Sequence, residues 1–479
     1  MASAAPLLLL FLSLLFLVNA FPLSAPPPFL LLPLNHTLSQ TQTAQPVHHL
    51  LKLSSLRSTA RFRSFRHHHH NRRHRPVPLS PGSDYTLPLT IGQPPQTVQV
   101  YLDTGSDVVW MPCARFECIL CEDKPRSPSP PLIPTASLSD IPCASPACST
   151  AHSSAHSSDL CAIAGCSLDD LETSSCQKPC PPFYYAYADG SLIARLVSSR
   201  LHLQGAGIHF QNFTFGCAHS TLAEPVGVAG FGRGALSFPG QIAARRFSYC
   251  LVPHRFSSPH HRPSPLLLGR KPSASDEDDA GVSYTPLLPN PRKPYFYYVG
   301  LEGALVGNRW ISAPESLRGV DSAGNGGLVV DSGTTFTTLP GEFFQRVKAE
   351  FVRGLGGSLE RASDVEEASG VGPCYYVEGG DWRRTVPGLV LVFRGNASVE
   401  LPKESYFFDL GSGGALHRGR AHGCFLVMGA TEGENDDEGG GPAGLLGNFQ
   451  QQDVEVIYDL EKRRIGFKRR DCGSMWDSL

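Results

Sequence analysis

The chain has 479 residues, with 41 basic and 43 acidic side chains, a formal net charge of −2 and 41% hydrophobic residues. That length holds two or three ordinary domains and that apolar content builds real cores, so the chain reads as globular rather than disordered. Nothing in the overall balance makes nucleic acid an expected partner.

In chain order, Leu7 to Val18 is nearly continuous apolar sequence ending in Val18-Asn19-Ala20, a small-residue cleavage site. Residues 1–20 therefore read as a signal peptide, although no Lys or Arg precedes the apolar run. The competing reading, a membrane anchor, is disfavoured because the run is short for a bilayer and Pro26-Pro27-Pro28 follows it. No later stretch is long enough to cross a membrane, and Cys472 to Leu479 lacks the apolar tail of a lipid-anchor signal. No stable membrane anchor is expected.

Residues 21–80 contain no Asp or Glu but eight cations: Lys52, Arg57, Arg61, Arg63, Arg66, Arg72, Arg73 and Arg75. The near-neutral total thus hides a basic leader on an acidic body, and the two should attract each other. This stretch is read as an inhibitory propeptide released by acid; nucleic-acid binding is the rival reading, and an exported chain seldom meets that partner. The run His67 to His70 has no spaced ligand set around it. Neither a metal nor a cofactor is called for.

Strands are predicted at 86–91, 96–102, 210–215 and 295–301, all rich in β-branched or aromatic residues and bounded by Gly and Pro. The second strand runs into Leu102-Asp103-Thr104-Gly105-Ser106, and Val330-Asp331-Ser332-Gly333-Thr334 repeats that run 228 residues later. Asp-(Ser/Thr)-Gly-(Ser/Thr) arises by chance roughly 0.03 times in such a chain, so two copies point to a paired carboxylate. Either run alone would pass for a strand ending in a turn. Downstream of each comes an apolar pair closing on glycine, Val226 to Gly232 and Ala443 to Asn448. Singly these read as strand ends; together they look like a duplicated lobe whose glycines let two backbones cross closely.

Nine of the fourteen cysteines crowd between Cys113 and Cys180. Cys118-x-x-Cys121 could pass for zinc ligands, but export through an oxidising lumen favours disulfides. Cross-links are expected to hold the Ser-, Pro- and Ala-rich stretch from Ser127 to Ser158. Asn212-Phe213-Thr214 and Asn396-Ala397-Ser398 are glycan acceptor sequons, with a third at Asn35 in the leader. Phe343, Phe344, Val347 and Phe351 form one apolar stripe after Pro340, predicting a helix that Gly354 ends. Val454-x-Val456-x-Tyr458, a polar turn over Asp459 to Arg464 and Ile465-Gly466-Phe467 predict a hairpin. Loops without core-forming content are expected at 257–265, 273–281 and 432–442.

From roughly Asp84 to Cys472 the sequence resembles the pepsin-like aspartic proteases, most closely the plant nepenthesin-type branch. The resemblance rests on Asp103 to Trp110, on Tyr187-Ala188-Asp189-Gly190-Ser191, on Asp331 to Thr335 and on the two apolar-glycine closers. It implies an all-β, bilobal fold with a few short helices, an N-terminal lobe over 81–270 carrying the cysteine-rich insertion, and a C-terminal lobe over 285–479. An active-site cleft between the lobes would receive one catalytic carboxylate from each, Asp103 and Asp331. The implied activity is a secreted endopeptidase of the cell wall, apoplast or vacuole, a monomer whose partner is a protein or peptide substrate.

Two carboxylates held close cannot both ionise cheaply, so the pair shares a proton and can act as base and acid on water and the scissile carbonyl. By resemblance Ser106 and Thr334 bond the outer carboxylate oxygens, while the Thr104 and Ser332 hydroxyls brace the loops between Gly105 and Gly333. Tyr187, with Gly190 and Ser191, matches a flap that closes over substrate, and Trp110 matches its indole partner. Ala188 and Ala194 stand where flaps usually have glycine. Cys374 with Cys424 matches a bridge of the family. Five cysteines lie outside the cluster and cannot all pair among themselves; Cys250 with Cys472 is the second expected link, which ties Cys217 to the cluster. The alternative function is a non-catalytic protein of the same fold, a xylanase inhibitor or cell-wall binding protein, though such relatives typically show a damaged dyad.

Overall fold

The computed structural model describes residues 29–37, 46–66, 85–119, 121, 132–152, 178–186, 191–203, 207–222, 225–254, 262–270, 279–377, 382–410, 420–430 and 441–479. The expected signal peptide and the end of the propeptide near Ser80 lie outside these residues.

Four strands open the fold: β1 (Leu30–His36), β2 (Tyr85–Ile91), β3 (Gln96–Asp103) and β4 (Trp110–Ile119). The predicted pair, β2 and β3, is antiparallel across a turn in which Gly92 takes φ 91°, a left-handed value that glycine adopts without Cβ strain. β3 ends on Asp103 and runs parallel to Gly227–Gly230, with Asp103 opposite Gly230. Leu328–Val330 runs parallel to Gly444–Leu446 in the same manner, and Asp331 follows it directly. A Cβ on Gly230 would lie 2.7 Å from the Asp107 carbonyl carbon, and one on Gly447 would lie 2.5 Å from the Thr335 oxygen. These glycines therefore mark a second strand crossing behind each Asp loop, not merely strand ends.

Beneath both lobes lies a six-stranded antiparallel floor, ordered Ser283–Pro286, Arg464–Arg469, Val454–Asp459, Arg246–Cys250, Ser264–Leu268 and β1. The predicted C-terminal hairpin supplies two of these strands, and Tyr458 stacks on Phe247 at 4.4 Å between ring centroids. The floor takes its strands from both lobes and from the leader, so neither lobe closes its core alone. The all-β architecture holds, with short helices in the body. The longest helix among the described residues, Val47–Arg66 with 20 residues, lies in the leader, where no element was predicted.

Three local expectations shift. Tyr295 to Tyr297 leave the ladder, and only Tyr298–Val299 pairs before a new strand starts at Leu301. The reason is that the backbone turns there: the Phe296 amide reaches back to the Lys293 carbonyl, and the Tyr295 carbonyl accepts the Arg233 amide at 2.9 Å. Pro265, expected in a loop, sits in the buried strand Ser264–Leu268 opposite Pro33 of β1. The helix after Pro340 spans Gly341–Gly354 and buries all four stripe residues, but Pro340 is its N-cap rather than its first residue. The loop segments 257–261, 273–278 and 432–440 lie outside the described residues.

Disulfides join Cys374 to Cys424 and Cys250 to Cys472, as expected, and Cys217 is tied to the cluster through Cys113; Cys118 bonds Cys121 and Cys148 bonds Cys180. Cys148, His152 and Cys180 are grouped closely enough to suggest a metal, yet both sulfurs are consumed by their mutual bond. Asn212 is exposed on its strand, and Asn396 is exposed in a hairpin turn at φ 63°. No helix among the described residues is long and apolar enough to cross a membrane.

Candidate active site

Each Asp loop leaves its strand through Thr-Gly-Ser or Ser-Gly-Thr, and the two meet at the bottom of the cleft. The Ser332 amide donates to Thr104 Oγ1 at 2.9 Å, and the Thr104 amide donates to Ser332 Oγ at 3.0 Å. Each hydroxyl then donates across to the other lobe, Thr104 to the Val330 carbonyl at 3.1 Å and Ser332 to the Leu102 carbonyl at 3.0 Å. Four buried bonds fix one loop against the other. The Gly105 amide donates to Asp103 Oδ1 and the Gly333 amide to Asp331 Oδ1, both at 2.9 Å. A Cβ on Gly105 would stand 2.5 Å from Asp331 Oδ1, and one on Gly333 would stand 2.4 Å from Asp103 Oδ1. Glycine at both positions is what lets the opposing carboxylates approach.

The outer bonds are less symmetrical than the resemblance implies. Thr334 Oγ1 donates to Asp331 Oδ2. The buried Ser106 hydroxyl lies near enough to Asp103 to favour its ionised form but closes no hydrogen bond of normal geometry. Behind the loops, Asn448 Nδ2 donates to the Ser332 carbonyl at 2.9 Å, and Gln451 Nε2 to the Leu446 carbonyl at 2.8 Å.

The leader helix fills the cleft. Arg61, on its buried face, donates from Nη2 to Asp103 Oδ1 at 2.6 Å and from Nε to Asp331 Oδ2 at 2.8 Å. Ser58 beside it accepts the Phe336 amide at 3.0 Å and donates to the Ser54 carbonyl. Burial pushes the Asp103 carboxyl up to about 6; Arg61 opposes that rise and the Asp331 charge adds to it. Burial acts on Asp331 too, but Arg61 together with the Thr334 and Gly333 bonds outweighs it and holds this carboxyl below its ordinary value. The environments thus split the pair, so one carboxylate ionises well before the other.

Three further residues belong to this setting, none assigned a role by sequence. Asp107, directly after Ser106 of the first Asp loop, accepts the Gly234 amide at 2.5 Å, and burial pushes its carboxyl up to about 6. Tyr185, on the strand leading to the expected flap, is held far above the ordinary phenol value by burial first, then by Tyr295, Asp103 and Asp107. Arg61 was legible only as one cation of the leader. Trp110 is fully buried, and Ser191, half-buried, opens the strand Ser191–Leu203 opposite Ala186. Ala194 is fully buried on that strand. Tyr187, Ala188 and Gly190 lie outside the described residues.

A bilobal β fold that delivers one carboxylate per lobe into a shared cleft defines the pepsin-like aspartic protease class. Residues 85–270 match the family model described as xylanase inhibitor N-terminal, and residues 296–469 that described as xylanase inhibitor C-terminal. The chain is 49% identical over 431 residues to a probable aspartyl protease of Arabidopsis thaliana, spanning 84% of this chain and 85% of that protein. It is 29% identical over 399 residues to aspartic proteinase nepenthesin-1 of Nepenthes gracilis, spanning 82% and 78%. Conglutin gamma, a basic 7S globulin from lupine seeds, has a similar fold, with a TM-score of 0.56 and 16% identity over 92% of this chain and 95% of its own. The chain belongs to the plant aspartyl protease family, in the nepenthesin-type branch of the pepsin-like enzymes.

Proposed function

We propose that this chain is a secreted aspartic endopeptidase, made as a precursor and hydrolysing peptide bonds in acid. The observation that carries the reading is an intact Asp103 and Asp331 on loops braced by the Thr104 and Ser332 exchange. The singly protonated dyad takes a proton from a bound water, which attacks the scissile carbonyl. The protonated member donates to the developing oxyanion, and a proton then passes to the leaving amine. No covalent intermediate is required. By the family resemblance, Tyr187 is assigned the part of covering the bound substrate, where exclusion of water strengthens each charge interaction at the dyad.

Arg61 makes the precursor silent, because its guanidinium occupies the oxygens that hold water and proton. Its charge lowers both carboxyls relative to an empty cleft, so docking is strongest above their values and weakens as pH falls through them. Residues 21–80 are thus read as a propeptide released by acid, and Asn212 and Asn396 as glycan sites of an exported protein of the cell wall or vacuole. The test is to acidify the full chain, identify any new N-terminus by mass spectrometry and follow hydrolysis of a denatured protein. Loss of the leader together with acid hydrolysis supports the reading. A protein that keeps its folded state in acid but never cleaves would instead be a binding protein on the same fold.

A further inference from the structure

The leader helix forms a cast of the cleft, and its C-terminal turn rests on a cation of the body. Phe65 stands four residues after Arg61, about 6 Å along the helix. Its carbonyl accepts a hydrogen bond from Lys293 Nζ. Phe62 and Phe65 fill an apolar pocket lined by Leu288, Phe296, Tyr298, Val329 and Leu445, with Phe65 edge-on to Phe296 at 4.6 Å. Val329 lies two residues before Asp331. The pocket and Lys293 are therefore beside the dyad, on the C-terminal lobe.

The backbone of Lys293 is held independently of the leader. Asn290 Oδ1 accepts the amides of Arg292 and Lys293, both at 2.9 Å, and Asn290 Nδ2 donates to the Gly324 carbonyl at 2.9 Å. This turn is built wholly within the body. Among the described residues no carboxylate pairs with Lys293, and the nearby charge acting on it is that of Arg66, another cation of the leader. Its acceptor is thus a carbonyl at a helix C-terminus, which carries partial negative charge. When the leader leaves, the turn that carries Lys293 stays and the ammonium loses that acceptor.

We propose that Lys293 is a specificity residue that binds a carboxylate of the peptide substrate, next to the apolar pocket that holds Phe62 and Phe65 in the precursor. This rests on the endopeptidase reading above. A carboxylate is the fitting ligand because it sets a full negative charge against the ammonium where the helix-end carbonyl sets only a partial one. Even in the precursor, where partial burial and the Arg66 charge lower the ammonium to about 8, it stays protonated throughout the acid range. The favoured substrate class is a peptide with a bulky apolar side chain near the scissile bond and an Asp, a Glu or a terminal carboxylate close to it. If Lys293 only capped the leader helix, it would have no influence on substrate choice once the leader was gone.

The experiment uses full chain processed by acid and assayed at pH 5, where free Asp and Glu are mostly ionised. Peptides containing one Phe are varied, position by position, as Glu, Gln or Lys around it. Wild type should favour Glu over Gln at one position by about tenfold in kcat/KM. Lys293→Met should bring that ratio toward one, Lys293→Arg should keep it, and Lys293→Glu should shift preference to Lys at the same position. Ratios within one preparation are insensitive to the fraction folded. Cleavage with charge ratios unchanged by Lys293→Met and Lys293→Glu overturns the subsite and leaves the endopeptidase reading standing. Binding of the same peptides with a reduced, uncleavable bond is titrated in parallel. Binding that favours Glu and loses this preference in Lys293→Met, without cleavage of ordinary peptides, upholds the subsite and overturns the catalytic reading.

Discussion

Arg61 and Asp331 are 270 residues apart in the chain, and in the cleft the guanidinium Nε donates to the carboxylate Oδ2 at 2.8 Å. Both partners are almost completely buried, so neither charge has water to fall back on. The same guanidinium reaches Asp103, which places the charge balance of the whole site under the control of a leader side chain.

Arg61→Gln should loosen the leader and raise the pH at which the precursor becomes active. Removing one partner of a buried pair costs on the order of 3–5 kcal/mol, because uncompensated charge is left behind. Arg61 depresses both carboxyls, so the stabilisation it provides is complete above their values and declines as pH falls. The variant should therefore process itself at a pH where the wild-type precursor is stable. Mass spectrometry of both proteins across pH 3–7 checks this, and identical profiles would rule out Arg61 as the lock.

Asp331→Asn and Asp103→Asn should each give a folded, secreted protein without peptidase activity, since one carboxylate cannot supply both base and acid. The measurement is hydrolysis of a denatured protein by the purified variants. Near-normal turnover in either would sink the dyad mechanism.

Thr104→Val keeps the shape of the side chain but removes the acceptor of the Ser332 amide and the donor to the Val330 carbonyl. Each buried group left unsatisfied costs about 1–3 kcal/mol. Denaturant unfolding should register the loss, and kcat should fall because the two carboxylates are no longer held in register. Ser332→Ala should behave alike, through the Thr104 amide and the Leu102 carbonyl.

Asp107→Asn tests the buried carboxylate that bonds the Gly234 amide. Burial raises this group from 3.8 to about 6, so the folded state holds its proton more tightly than the unfolded chain. The resulting stability is complete below pH 3.8 and is lost as pH rises through 6, by up to about 3 kcal/mol. Asparagine retains the acceptor without the charge. Its unfolding free energy should vary less between pH 4 and pH 7 than that of the wild type, and parallel curves would show that Asp107 is not a source of the pH dependence.

The sequence by itself determined several elements whose cause is local. The paired Asp loops, the hairpin over Val454 to Arg469 and the helix over Gly341 to Gly354 follow from turn chemistry and apolar periodicity, which depend on neighbours in the chain. The resemblance carried the Cys374 to Cys424 bridge, because the loop motifs fix the register of the rest. What only the tertiary structure decided is how the leader docks and which of its residues meets the two carboxylates. The buried face of its helix is Leu50, Leu51, Ser54, Ser55, Ser58, Arg61, Phe62 and Phe65, too polar in the middle to show a helical stripe. Ser58 and Arg61 are buried there because the Phe336 amide and the two carboxylates satisfy them. Those partners come from far along the chain, and β1 likewise finds its place only by pairing with Ser264–Leu268. A pattern read along the chain carries no trace of such partners, since the polar residues look like surface until the groups that satisfy them arrive.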